Sequence, residues 1–211
     1  MVSIEKLKKE FLGREIVGKQ EDIEKTMQDK IEKVLLEKRR LFLSDSVSEK
    51  SANILIRKLW YLDHVDNKKP ILLVINSPGG SVDAGFAIWD QIKLIKAPVY
   101  TLITGIAASM GSILSLCAEK GRRLSTPLAR VMIHQPLIAG VIQGQATDLD
   151  IQAKEMLKTR DLIVKIYIDA TGKEEKIVRK AINRDNWMSA QEAKDFGLID
   201  QIITSFDEIS I

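Results

Sequence analysis

Thiol and imidazole groups are scarce in this 211-residue chain, which holds one cysteine and two histidines. The lone Cys117 cannot form an internal disulfide and sits in a run that reads as buried helix, which fits a reducing compartment. No apolar run reaches the roughly 18 residues that a membrane-spanning helix needs. The opening MVSIEKLKKE lacks the apolar core of a secretory signal, so a cytoplasmic location is expected. Aromatic residues make up 5% of the chain, and its net charge of +3 is spread out rather than patched. With no aromatic platform beside a basic stripe, nucleic acid has little support as a partner. What is present is a 45% hydrophobic composition, enough for one full core, and the length suits one domain better than two.

Taken in order, residues 3–12 and 20–39 read as densely charged helices. In the second, Ile23, Met27, Ile31, Val34 and Leu35 form a narrow apolar stripe, predicting one continuous helix from about Glu21 to Lys38. Leu41–Leu43 is a short strand candidate. Ser46 with Glu49 reads as a capping box for a helix whose Ala52, Leu55, Ile56, Leu59, Trp60 and Leu62 share a face. Ile71–Ile75 is apolar throughout, which predicts a strand covered on both faces, as in a parallel sheet flanked by helices. The turn NSPGG at residues 76–80 and a helix closed by Pro98 follow. A second strand, Val99–Thr104, runs into GIAASMG at residues 105–111 and then an apolar helical run, Ser112–Ala118. Such repeated βα units imply a right-handed, mostly parallel sheet with sites at the carboxyl ends of its strands. Gly121 suits a helix C′ position. Arg122–Ser125 and Ala129–Ile133 read as strands, Thr147–Asp169 as a long helix stopped by Gly172, and Glu174–Asn183 as a shorter one. Ser189 with Glu192 forms a second capping box, and a final strand, Leu198–Ile203, follows Gly197.

Three places offer chemistry. Ser109 stands where a strand turns into a helix, among small residues and ahead of free backbone N–H groups, which is what an activated serine nucleophile needs. The same seven residues also fit an ordinary connection whose serine caps the helix. Gly79 and Gly80 can bring bare N–H groups beside a reacting carbonyl, or serve only as turn residues. His134, at a strand end, is the one plausible imidazole base, though a histidine there also fits a structural hydrogen-bonding role. His64, among Asp63, Asp66, Asn67 and Lys68, reads as a solvent-exposed bystander. A serine nucleophile needs a base, and the base needs a carboxylate on its other nitrogen. Spacing alone leaves Asp148, Asp150, Asp161 and Asp185 open for that part.

INSPGG, GIAASMG and MIHQP, in this order and at these intervals, together with GQATD at residues 144–148, RDNWMSA at residues 184–190 and FGLID at residues 196–200, closely resemble the ClpP family. These are the serine-type proteolytic subunits of the ATP-dependent caseinolytic (Clp) protease. The resemblance runs from about Lys30 to Thr204. It implies an α/β, ClpP/crotonase-like fold with a handle made of a strand and a long helix at about residues 137–169. It also implies a catalytic triad of Ser109, His134 and Asp185, with an oxyanion hole formed by the backbone N–H groups of Gly80 and Met110. The organisation expected from it is a divergent charged segment at residues 1–29, the peptidase domain at residues 30–205, and a tail at residues 206–211.

The expected partners are a Clp-family AAA+ ATPase, which uses the ATP, and unfolded protein or peptide substrates. Self-assembly into two stacked seven-membered rings, of this chain alone or together with a ClpP paralogue, is implied. No metal or cofactor is expected in this subunit. Some positions depart from the family pattern. The stretch between HQP and GQATD is longer than the commonest spacing, and Asn183 stands where an acidic residue is frequent. Leu72 and Val74 stand where aromatic residues often meet the ATPase. Competing readings are a structural or regulatory paralogue, and an acyl-CoA enzyme of the crotonase superfold, which has no use for a Ser-His-Asp set.

Overall fold

A computed structural model describes residues 26–137 and 143–209. The chain divides into two units, residues 1–39 and the body that begins at Arg40. In the first unit, helix α1 covers residues 26–37 and leaves Met27, Ile31 and Val34 exposed at the expected spacing. The extension of this helix back to about residue 21, the helix at residues 3–12 and most of the handle strand after Leu137 lie outside the described residues.

In the body, β1 (Arg40–Leu43), α2 (Glu49–Val65), β2 (Ile71–Ser77), α3 (Val82–Leu94), β3 (Val99–Ala108) and α4 (Met110–Ser115) alternate strand with helix. Then come β4 (Arg123–Ser125), β5 (Arg130–Ile133), α5 (Ala146–Thr171), α6 (Glu175–Ala181), β6 (Asn186–Ser189), α7 (Ala190–Phe196) and β7 (Gln201–Ile202). The sheet order is β1-β2-β3-β4-β7, parallel throughout. With right-handed crossovers, α2 and α3 fall on one face of it. β3 is longer than the expected Val99–Thr104 and serves two neighbours: Thr101–Ile103 pair with β4, and Ile106–Ala108 pair with β5. The sheet therefore forks after Ile103, and its second branch, β3-β5-β6, carries the residues discussed below.

β2 is covered on both faces, as its unbroken apolarity predicts, but by different means. Ile71, Leu73 and Ile75 are fully buried on one side. Leu72 and Val74 point the other way and pack with Leu102, Leu124, Ile203 and Ile209. The two positions that the family resemblance links to the ATPase are thus buried beneath the C-terminal segment.

Several local expectations change for identifiable reasons. The cap of α2 is Ser48, boxed with Ser51, in place of Ser46 with Glu49. Val47 is held extended against the glycine turn, donating to Gly79 O at 2.8 Å and accepting from Ser81 N at 2.8 Å, so the helix cannot begin before Ser48. Trp60 is turned outward and donates its Nε1–H to Gln91 Oε1. α4 stops at Ser115, short of Ala118, where the N–H groups turn back three residues in place of four, Leu116 N to Ile113 O at 3.0 Å and Cys117 N to Leu114 O at 3.2 Å. Thr101 Oγ1 donates to Ser115 O at 2.7 Å, and Lys93 Nζ to Cys117 O at 2.8 Å. Cys117 is buried, but in a turn after the helix. Gly121 is correspondingly not a helix C′ residue; its N–H donates to Asp200 Oδ2. The last strand shrinks to Gln201–Ile202. The Ser189–Glu192 box and the stop of α5 at Gly172 occur as expected.

The lower edge of the sheet is tied by an ion pair between Arg123, with 4% of its side chain exposed, and Asp200, with 13%. Asp200 accepts from Arg123 Nε at 2.9 Å and Arg123 N at 3.0 Å, while the guanidinium also donates to Ala170 O and Gly197 O. Burial pushes the Asp200 carboxyl upward, but the hydrogen bonds and charge of Arg123 outweigh it and hold the group below its ordinary pKa. The pair's contribution is therefore full above about pH 4 and is lost as pH falls through the folded-state pKa. Asp200→Ala leaves a buried guanidinium uncompensated. It should cost about 3 kcal/mol and lower the thermal midpoint by roughly 10 °C at neutral pH. Glu119→Ala, which breaks the exposed pair with Arg122, should cost less than about 1 kcal/mol and is the control for thermal unfolding.

Candidate active site

Ser109 is the single residue between β3 and α4, and its backbone is forced. It has φ +52° and ψ −121°, in a region that side chains avoid at a cost of about 1–3 kcal/mol. The surroundings hold it there from both sides. Its N–H donates to Met132 O at 2.9 Å, continuing the β3–β5 pairing. Its carbonyl accepts from Ser112 N at 3.0 Å, Ile113 N at 3.2 Å and Ser112 Oγ at 2.7 Å. The side chain makes no capping bond to α4, so the helix-cap reading fails. Instead Ser109 Oγ lies 2.7 Å from His134 Nε2.

His134 directly follows β5, and β5 runs antiparallel to β6 with Ile133 opposite Asn186. One step further along this register, His134 faces Asp185. Their side chains meet, with His134 Nδ1 at 3.1 Å from Asp185 Oδ1. The imidazole is mostly enclosed, with 12% of its side chain exposed, while 63% of the Asp185 side chain is exposed. The other acids left open by sequence are engaged elsewhere. Asp150 pairs with Lys154, Asp161 pairs with Arg179, and Asp148 lies in the first turn of α5. His64 lies exposed in the last turn of α2 and is not part of this cluster.

The turn after β2 closes the other side. Gly79 has φ +92°, and a Cβ there would stand 2.6 Å from Ala108 O and 2.8 Å from the Ser109 Cβ. Gly80, at φ +148°, is equally closed to side chains by the Val47 backbone. Only a bare backbone fits this close to the serine. Val47 uses the groups on either side of Gly80, namely Gly79 O and Ser81 N, so the Gly80 N–H faces away from it. Among the described residues neither the Gly80 N–H nor the Met110 N–H donates to a protein acceptor. Both border a cleft of about 340 Å³ that contains Ser109 and His134 and is walled by Val82, Ile113, Met132, Leu137 and Ile163. Other clefts in the body match or exceed it in volume. What distinguishes this one is the convergence of a hydroxyl, an imidazole backed from outside the cleft by the Asp185 carboxylate, and two unused N–H groups.

Sequence reasoning did not identify Ser112, Tyr167 or Ile163 as parts of this neighbourhood. The signal for Ser112 was its place three residues after Ser109, where a hydroxyl can reach back to a carbonyl. Tyr167 had only the hint of a phenol on the apolar face of α5. Among the described residues no three or more His, Cys, Asp or Glu side chains converge as a metal site, and no helix is long and apolar enough to cross a membrane.

Comparison with known proteins places these features in context. The family model described as Clp protease matches residues 22–206. The chain is 65% identical over 183 residues to the ATP-dependent Clp protease proteolytic subunit 1 of Protochlamydia amoebophila, covering 87% of this chain and 89% of the relative. It is 61% identical over 183 residues to the protein of the same name from Chlamydia pneumoniae, covering 87% and 96%. It is 49% identical over 166 residues to the ATP-dependent Clp protease proteolytic subunit 2 of Prochlorococcus marinus, covering 79% and 81%.

Proposed function

Since this chain belongs to the Clp protease family, we propose that it is a serine endopeptidase subunit that hydrolyses peptide bonds of unfolded proteins through Ser109, His134 and Asp185. The observation that carries the assignment of residues is the hydrogen-bonded line from Ser109 Oγ through His134 to Asp185, 2.7 Å and 3.1 Å long.

In this reading Ser109 Oγ attacks the carbonyl carbon while His134 Nε2 takes its proton, and the same imidazole then gives that proton to the leaving amine. Asp185 accepts from Nδ1–H, so that Nε2 is the free base, and it stabilises the charged ring that forms. The tetrahedral oxygen is stabilised by the Gly80 and Met110 N–H groups, each worth roughly 3–4 kcal/mol in the transition state. The acyl group on Ser109 is then removed by water, with His134 again as base. The strained serine backbone and the glycine turn keep these groups aimed before substrate arrives. No step requires a metal or an organic cofactor; ATP is used by the partner ATPase.

The subunit acts in the cytoplasm, inside two stacked seven-membered rings, on chains delivered by a Clp-family ATPase. The names of the relatives, some called subunit 1 and one called subunit 2, support a second reading in which this chain works only beside a paralogue or an activator. Treating the purified full chain with a fluorophosphonate and mapping the adduct tests the assignment. The expected result is one label per chain, on Ser109, with fluorogenic peptide hydrolysis lost in proportion. Labelling that begins only after a subunit 2-type protein is added would favour the second reading. No labelling under either condition, or labelling at another serine, would overturn the assignment.

A further inference from the structure

The long helix α5 reaches the reacting centre through two residues that the mechanism above does not use. Tyr167, fully buried, lies with its hydroxyl 2.8 Å from Ser112 Oγ, and Ser112, 1% exposed, donates from that same oxygen to Ser109 O at 2.7 Å. The direction of this chain is settled by chemistry. A carbonyl oxygen only accepts, so the Ser112 proton is committed to Ser109 O, and what remains on Ser112 Oγ are lone pairs. Tyr167 must therefore be the donor to Ser112. Burial pushes the phenol's pKa well above its ordinary value, the Ser112 contact offsetting only part of this, so the donor keeps its proton at neutral pH.

The end of the chain is what gives it consequence. Ser109 C=O and Met110 N–H belong to one rigid peptide plane and point in opposite directions, so whatever fixes the oxygen aims the hydrogen. That plane has its angle set by the ψ of −121° at Ser109, which belongs to the strained conformation already described. Rotation of the plane would relieve strain and carry the Met110 N–H out of the cleft. The Ser112 hydroxyl makes the shortest of the three bonds opposing that rotation, at 2.7 Å against 3.0 Å and 3.2 Å from the N–H groups of Ser112 and Ile113. A hydrogen bond onto the oxygen also polarises the amide and makes its N–H a stronger donor. On α5, Ile163 lines the cleft and Tyr167 follows it one turn later, so one helical face supplies both a wall of the site and the start of the chain.

We propose that Tyr167 and Ser112 are positioning residues for hydrolysis, acting from α5 through the Ser109 carbonyl to aim and strengthen the Met110 N–H at the developing oxyanion. The proposal rests on the reading of Ser109 as the nucleophile. It sets these two residues apart from a buried Tyr–Ser pair that only satisfies its own hydrogen bonds.

The test compares Tyr167→Phe, Ser112→Ala and the double variant in the full chain, with kcat expressed per fluorophosphonate-reactive site. Tyr167→Phe should lower kcat roughly fivefold and Ser112→Ala roughly tenfold, with KM changed less than about twofold, because the bond matters chiefly in the transition state. Since Tyr167 acts only through Ser112, the double variant should match Ser112→Ala. A peptide aldehyde, whose adduct places an oxygen where the oxyanion forms, should lose affinity by the same factors, while the corresponding product acid binds unchanged. Unaltered kcat and aldehyde affinity in both variants, whatever happens to their thermal midpoints, would overturn the proposal; so would additive effects in the double variant. Each single variant removes one oxygen, and either alone is decisive if the other folds poorly. Failure of the underlying reading would look different: Ser109→Ala would then retain hydrolysis.

Discussion

Ser109→Ala is expected to abolish peptide hydrolysis, lowering kcat by at least about 10,000-fold, with the fold and assembly intact. The size follows from the division of labour in the site. Without Oγ there is no atom to form the acyl intermediate, and His134 has no hydroxyl to deprotonate. What survives is binding and the two N–H donors, which elsewhere sustain only about 1,000- to 10,000-fold acceleration over water after a triad member is lost. Stability should barely change, because the Ser109 side chain has His134 as its hydrogen-bond partner. The backbone bonds to Met132 O, Ser112 and Ile113 do not involve the side chain. Alanine at φ +52° is about as disfavoured as serine, so the strain is unaltered. Thermal unfolding should therefore shift by no more than about 0.5 kcal/mol equivalent. Hydrolysis within about 100-fold of the wild type, by a protein free of other peptidases, would remove Ser109 from the mechanism.

How much of this site could be read in the sequence depended on how local each feature is. The strand–serine–helix arrangement was legible because β3, Ser109 and α4 are consecutive, and small residues must occupy a turn that other backbone approaches so closely. Gly79 and Gly80 were legible for the same reason. The partner of His134 was not, because it is set by the pairing of β5 with β6 across a separation of 51 residues. Family resemblance, not spacing, had to choose Asp185 over Asp148, Asp150 and Asp161. The start of α2 was misread for a related reason: Ser46 and Ser48 are both competent caps, and Val47 bonding to the distant glycine turn decides between them. That Leu72 and Val74 are buried was legible in the unbroken apolarity of β2, but what covers them was not, because Ile203 and Ile209 come from the far end of the chain. Tyr167 was hidden in plain apolar periodicity, since a buried phenol and a buried phenylalanine leave the same pattern.

Asp185→Asn is expected to lower kcat roughly 100- to 1,000-fold with little change in stability. A buried triad carboxylate changed to asparagine elsewhere costs about 10,000-fold, through the wrong imidazole tautomer. Two observations argue for a smaller loss here. Asp185 has 63% of its side chain exposed, so water screens its charge on the ring, and its 3.1 Å contact is long for a charge-assisted bond. The tautomer argument still holds. An asparagine amide that donates to Nδ1 places the ring proton on Nε2, the atom that must accept from Ser109. Asp185→Ala separates the two contributions, because water can enter the exposed position and accept from Nδ1–H as the carboxylate did. Alanine should therefore be less damaging than asparagine, by roughly threefold or more. Asp161→Asn, which breaks only exposed or part-exposed pairs with Arg179 and Arg160, should stay within about twofold of wild type. Were asparagine and alanine at 185 equally harmful, orientation of the imidazole by its tautomer would not be what Asp185 contributes. Were Asp161→Asn as harmful as Asp185→Asn, the pairing of β5 with β6 would not be what selects the carboxylate.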